Sequence, residues 1–237
     1  MICITFDTDW ISNEHLEQLN PIDMIPGKAT FYCTQPYEYL EKRIEDVEIA
    51  IHPRLDWGAD WLDEITKLKA ALPYSSDGIR PHSCAYSQLL GVHLRNAGYT
   101  YISQVTLPNL ANPKPYRHPW GIWEAPIFYM DNMDFTLAEN WKNSKHTPFQ
   151  RKIIDTAVHG DGVYVFDFHP IHLMLNTPDR AYYQENRNKL GQAGPIAYSG
   201  YGTRSFFEEL IGEMKKYDVL SYTVDDTVKL FEGVDVE

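Results

Sequence analysis

Four short segments of this 237-residue chain gather carboxylates, imidazoles and two arginines. They read Thr5-Phe6-Asp7-Thr8-Asp9-Trp10, Ile51-His52-Pro53-Arg54-Leu55-Asp56, Gly78-Ile79-Arg80-Pro81-His82-Ser83 and Val165-Phe166-Asp167-Phe168-His169-Pro170-Ile171-His172. Alternation along a strand turns Asp7 and Asp9 to one face and Thr8 to the other. Two carboxylates so close can divide labour, one binding a metal ion and the other serving as a base. A neutral imidazole is the commonest partner for zinc or a similar divalent ion. Hydrolysis of an amide or ester near neutral pH needs a nucleophilic water, which a bound metal provides by lowering the water's pKa. It also needs an acid for the leaving group, a task suited to a second histidine. Singly, each segment has a plainer reading: Ser12 or Asp9 could cap a following helix, His-Pro is a common turn, and Arg80 could be an ordinary ion-pairing residue. Four such segments at successive strand ends point to metal-assisted hydrolysis.

The elements that must position these residues alternate short apolar runs with amphipathic stretches. Strands are expected at Ile2–Phe6, Ala29–Cys33, Val47–Ile51, Tyr99–Ser103, Ile122–Ala125, Val163–Phe168 and Val219–Tyr222, brief and β-branched or aromatic enough to be buried on both faces. Helices are expected over Trp57–Ala71, over Ser83–Ala97 with Ser83 as N-cap, over Thr147–Val158 with Pro148 in its first turn, and over Thr203–Lys216. Repeated β-then-α order predicts a parallel sheet with helices outside, and about seven units suffice to close, or nearly close, a barrel whose active site lies at the strand ends. Leu107–Trp120 and the Gly/Tyr-rich Gly191–Gly202 read as loops, the second a candidate lid. No repeat or boundary interrupts the pattern, so residues 1–237 are expected to form one domain.

Composition narrows the function. The net charge of −12 excludes the basic footprint of a nucleic-acid binder. Three scattered cysteines (Cys3, Cys33, Cys84) support neither a disulfide framework nor a Cys-type zinc knuckle and read as buried thiols. No apolar stretch approaches the length of a membrane span, and the Met1–Asp7 segment reads at once as a strand, so a cytoplasmic location is expected. Sixteen tyrosines and six tryptophans could line a carbohydrate site, although most will be core.

In this order the four segments resemble the motifs of the polysaccharide deacetylase superfamily, carbohydrate esterase family four and its relatives, over roughly residues 2 to 230. The branch most similar is the intracellular one found with surface-polysaccharide genes, which shares Ile-His-Pro, Arg-x-His-Ser and Phe-His-Pro-Ile-His segments. The resemblance implies a distorted (β/α) barrel of about seven parallel strands and removal of an N-acetyl (or formyl) group from an amino sugar or oligosaccharide. It makes Asp7 the base, Asp9 and His52 metal ligands, Arg80 the residue that orients the base, and His169 the general acid. Asp131, after Glu124-Ala125-Pro126, is the weaker match to the acidic residue that supports His169. A divalent metal ion, zinc in the first instance, is the implied cofactor.

Two positions depart from the family pattern. Where a second ligand histidine is usual, four residues after His52, this chain has Asp56, and its third motif reads Arg80-Pro81-His82-Ser83. His82 could supply the missing imidazole, or Asp56 could ligate through oxygen, with His82 the preferred candidate. His15, His93, His146 and His159 fall on helical stretches and read as surface groups. His118 reads as structural, and His172 could flank the metal or touch substrate. Alternatives to a sugar deacetylase are a hydrolase of another linear C–N bond, such as that of a small ureide, and a catalytically silent barrel that binds a carbohydrate or a partner enzyme.

Overall fold

Period-two alternation sorts the side chains of the central strands into two sets. In a computed structural model, which describes residues 1–55, 58–108, 110–140, 145–190 and 197–233, the chain forms strands β1 (Ile2–Asp7), β2 (Ala29–Cys33), β3 (Val47–Ile51), β4 (Gly78–Ile79), β5 (Tyr101–Ile102), β6 (Tyr116–Arg117), β7 (Trp123–Glu124), β8 (Ile127–Met130) and β9 (Tyr164–Phe168). The helices are α1 (Asn13–Leu19), α2 (Glu38–Glu41), α3 (Trp61–Ala71), α4 (Gln88–Asn96), α5 (Asp131–Asn140), α6 (Arg151–His159), α7 (Pro170–Leu175), α8 (Arg180–Asn186), α9 (Thr203–Lys216) and α10 (Val224–Glu232). Ile2, Ile4 and Phe6 of β1, Phe31 of β2, Ile49 of β3 and Phe166 of β9 join the larger core with Phe206, Phe207 and Leu210 of α9. Cys3, Tyr32, Ala50 and Val165, one residue out of phase, face the other way and meet Tyr101, Val224 and Val228. Burial on both faces explains why these strands are nearly continuous apolar runs.

One sheet of order β6-β7-β5-β4-β3-β2-β1-β9-β8 contains all nine strands, and every pairing is parallel except β6 with β7. Its far edge curls back on the chain leaving β5: Ile127 N donates to Val105 O, and Leu107 N donates to Ile127 O, both at 2.8 Å. Strands β1 to β5, β8 and β9 thus form a curled ring, with the short β6–β7 ladder outside it. The end of the ring opposite the strand C-termini is covered by α10, whose Val224 N donates to Thr30 Oγ1 and whose Asp225 N donates to the buried Glu48. A carboxylate at a helix N-terminus meets unpaired backbone donors and the positive end of the dipole.

Several element boundaries differ from those expected. Val219–Tyr222 is not a strand but a pair of isolated bridges from Ser221 to Ile2 and Gly27. Gly27 has φ +102, and a Cβ there would lie 2.4 Å from Ser221 O, so this approach needs glycine. The apolar run 122–130 is cut at Pro126 into β7 and β8, which sit at opposite ends of the sheet order. Tyr116–Arg117, read as loop, pairs antiparallel with β7. Ser87, not Ser83, caps α4, its Oγ accepting from Leu90 N at 3.1 Å. Thr147 and Pro148 lie outside α6, because Phe149 adopts φ 58 and its N–H is taken by Asp134 at 2.7 Å. Residues 57 and 191–196, parts of the expected first helix and of the candidate lid, lie outside the described residues.

Candidate active site

The inward-facing register of the central strands runs straight into the polar cluster. Thr5 and Asp7 continue from Cys3 on β1, His52 follows Ala50 on β3, and Asp167 and His169 follow Val165 on β9. Arg80 leaves β4 and is fully buried. Its guanidinium lies 4.0 Å from the Tyr32 ring centroid. Nε and Nη2 donate to Ser103 O and Oγ at 3.1 and 2.8 Å. Nη1 donates to Thr5 Oγ1 at 2.8 Å and to Asp7 Oδ1 and Asp167 Oδ1, both at 2.9 Å. So enclosed, Arg80 stays charged: burial opposes this, but Asp167 and Asp7 outweigh it.

Asp9 Oδ2 stands between two imidazoles, 3.0 Å from His52 Nε2 and 3.1 Å from His82 Nδ1. The other carboxylate, through Asp7 Oδ2, is 3.6 Å from the same His52 nitrogen. Nδ1 of His52 is 2.6 Å from Arg80 O. A carbonyl can only accept, so Nδ1 carries the hydrogen, and in the neutral ring Nε2 presents a lone pair to a carboxylate oxygen. That contact requires a proton or a cation between them. Burial lowers the His52 pKa, but Asp7 and Asp9 overcome it and raise it above the usual histidine value. For Asp9 burial again opposes, yet hydrogen bonds from His52 and His82 hold the carboxyl far below the usual range. Asp9, His52 and His82 offer one ligand atom each, all within 4.8 Å of one another. One carboxylate oxygen and two imidazole nitrogens, with the His52 ring held in one tautomer by Arg80 O, form a donor set that fits a divalent ion such as zinc. Asp56, the alternative third ligand, lies outside the described residues.

On the opposite side His169 is gripped by Asp131, which accepts from Nδ1 at 2.8 Å and from the His169 backbone N at 2.9 Å. Burial disfavours the imidazolium, but the Asp131 charge prevails and pushes the His169 pKa up to about 10. Asp131 itself is held below the usual range by His169 and His172 despite its burial. His172 is neutral by contrast: burial takes its pKa down to about 4. It packs on Phe135 and Tyr183, 5.0 and 4.5 Å between ring centroids, with Nδ1 3.2 Å from Thr177 Oγ1. A cavity of about 260 Å3 opens over Asp9, His82, His169 and His172. At its edge stands Trp10, 57 % exposed and in the left-handed region at φ 61, with Arg54 over its ring at 5.7 Å. A bulky residue held there is a strained feature of the kind that clusters at functional sites.

Asp7 with Arg80, Asp9 with His52 and His82, and His169 with Asp131 are therefore brought together. Of the residues expected elsewhere, Ser12 caps α1, its Oγ accepting from His15 N at 3.3 Å, and Asp9 does not cap it. His15, His93 and His159 lie on helices. His146 is neither on a helix nor at the surface: Asp134 draws it in, 2.7 Å from Nε2. His118 is stacked on Trp120 with Nε2 3.3 Å from Glu124 Oε2. Glu124 accepts from the Gln104 and Val105 N–H groups, a structural role.

Asp167 was not singled out, although its place two residues before His169 on the inward face was available from strand parity. Burial and the neighbouring Asp7 push its pKa well above the usual carboxylate range, against Arg80. Its Oδ2 is buried without a hydrogen-bond partner among the described residues.

A curled parallel sheet with this cluster at its strand C-termini defines a polysaccharide-deacetylase-like protein. The chain belongs to the WbmS-like polysaccharide deacetylase family, whose sequence profile matches residues 4–187. Among solved structures it is similar to WbmS of Bordetella bronchiseptica, described as a polysaccharide deacetylase involved in O-antigen biosynthesis, with TM-score 0.72 and 22% identity over 89% of each chain. It is also similar to 4-alpha-glucanotransferase of Thermococcus litoralis, with TM-score 0.55 and 14% identity over 97% of this chain and 38% of that one. Likeness at these identities speaks to fold, and one fold hosts different chemistries. No curated protein matches the sequence. Among the described residues no helix is long and apolar enough to cross a membrane.

Proposed function

We propose that the protein is a zinc-dependent deacetylase that removes the N-acetyl group of an amino sugar destined for a surface polysaccharide. The observation that carries this reading is the placing of Asp9, His52 and His82 between an arginine-held carboxylate and a carboxylate-held histidine. Asp9, His52 and His82 would hold the ion, which when bound acidifies water and polarises the amide carbonyl. Asp7 has Oδ1 fixed by Arg80, which leaves Oδ2 to take the proton from the attacking water. His169 keeps Nδ1 on Asp131 and delivers the Nε2 proton to the amine nitrogen as the C–N bond breaks, so that acetate and the free amine leave. Asp167 accepts from the same Arg80 nitrogen as Asp7 and helps keep the guanidinium from swinging towards the cavity. The likeness to an O-antigen biosynthesis protein supports a biosynthetic sugar as substrate and a cytoplasmic location.

Purified, zinc-loaded protein should release acetate from at least one of an N-acetylated nucleotide sugar, lipid-linked sugar or oligosaccharide. Asp7→Asn should keep its zinc and its fold yet lose about two to four orders of magnitude in rate, as for removal of a general base. Release from none of these substrates, or turnover of ureides instead, would replace this reading; an active Asp7→Asn would remove Asp7 from the mechanism.

A further inference from the structure

One wall of the cavity is helix α8. Arg180, Tyr183 and Gln184 of α8 and Arg187, the capping residue just past it, line the cavity, spaced i, i+3, i+4 and i+7, so one face is turned to the cavity and its two ends are arginines. That face has no acidic residue: Glu185 lies off it and pairs with Lys189 at 3.3 Å. In a chain with 21 basic and 33 acidic residues, two cations facing one small cavity are not a compositional accident. Nor does Arg187 serve a fold-stabilising ion pair with a described carboxylate; its guanidinium lies 5.8 Å from the Tyr183 ring centroid. Tyr183 in turn packs on His172, and His172 on His169 at 5.3 Å between ring centroids. Arg187 is thus braced, through two rings, against the histidine that faces the scissile bond.

We infer that the substrate of the proposed reaction is an N-acetylated sugar carrying an oxyanion, which Arg187, with Arg180 at the other end of the α8 face, engages while the acetamido group sits over Asp9 and His169. The inference rests on the deacetylase reading for the position of the acetamide. Guanidinium groups favour phosphate and carboxylate through paired N–H donors. Two sources share that chemistry: the phosphates of a sugar nucleotide or lipid diphosphate, and the carboxylate of an acetamido uronic acid. Asp9 lines the same cavity and would repel an anion, and Arg180 and Arg187 supply the positive charge that offsets it.

Binding of three probes to the zinc-loaded protein separates the cases: UDP-N-acetylglucosamine, the methyl glycoside of an N-acetylated hexosaminuronic acid, and the neutral methyl glycoside of N-acetylglucosamine. At least one anionic probe should bind about tenfold or more tightly than the neutral one, with the preference falling as salt rises. Which anion is preferred names the source. In Arg187→Ala the ratio of neutral to anionic Kd should fall about tenfold, the loss expected for one charge-assisted contact, and Arg187→Lys should restore part of it. Equal binding of all three probes, or a ratio unchanged in Arg187→Ala, overturns the inference. Acetate release followed in parallel keeps the two proposals apart. Release without anion preference sinks this one alone, and anion preference without release sinks only the deacetylase reading.

Discussion

Asp9 Oδ2 meets two imidazole nitrogens at about the same distance, and on the proposed reading His82 takes the place of the histidine absent at position 56. Pro81 separates His82 from Arg80, so one short segment sends Arg80 inward to Asp7 and His82 to Asp9. His82→Ala should cut zinc affinity steeply, by about one to two orders of magnitude or more, as even loss of an outer-shell partner does. Asp56→Ala should do little. Zinc titration of both variants checks this, and the reverse pattern would give the ligand position to Asp56. His169 has a different test. Its pKa rises from 6.5 to about 10 in the folded chain, so the proton it would donate in the proposed reaction is present at neutral pH and lost as pH climbs through about 10. The rate profile should carry an alkaline limb there, and His169→Gln should abolish the limb with most of the activity. Sign and window also apply to stability: the contribution of the His169–Asp131 pair is full below about pH 6.5 and fades between there and about 10. Urea titrations of wild type and His169→Gln should therefore differ most at about pH 6 and converge as the pH rises towards about 10.

At the scale of elements, what could be read from the sequence was what period two and chain polarity control. Strands β2 and β3 fall on the residues expected, and β1 and β9 within one residue, because their apolar runs are long enough for burial to leave a pattern. The carboxylates and histidines at their ends follow from the same alternation. The two-residue β5 and β7 were found inside longer apolar runs, but Gly78–Ile79 has no such run around it and was not expected, although it sets the position of Arg80. Pro126 splits one apolar run into two strands that lie far apart in the sheet order, which no local periodicity can convey. The α8 face carries no motif, and only its position against the cavity brings Arg180 and Arg187 together with the site. Gly78 illustrates how tightly the short strands are placed. A Cβ there would lie 2.1 Å from Tyr101 Cζ, and Tyr101 is fully buried with its hydroxyl 2.6 Å from Glu48 Oε1. Gly78→Ala should therefore cost about 1–3 kcal/mol, the usual range for overpacking, measured by urea denaturation. An unchanged midpoint would mean that Tyr101 can move aside.

For the molecule as a whole, the central position of β1 has a consequence in time. One edge of this strand pairs with residues 29–32 and the other with 164–168, and Ile4 N also donates to Ser221 Oγ at 3.0 Å. The strand that bears Asp7 and leads to Asp9 is thus synthesised some 160 residues before its second neighbour. At ribosomal speeds of about 5–20 residues per second, that interval lasts roughly ten to thirty seconds. Throughout it β1 keeps an unpaired edge, and Ile2, Ile4 and Phe6 lack the phenylalanines of α9 that later cover them. An open apolar edge is a template for pairing with another chain. A nascent polypeptide halted before residue 164 is then the form of this protein most prone to self-association, and the one with most need of a chaperone.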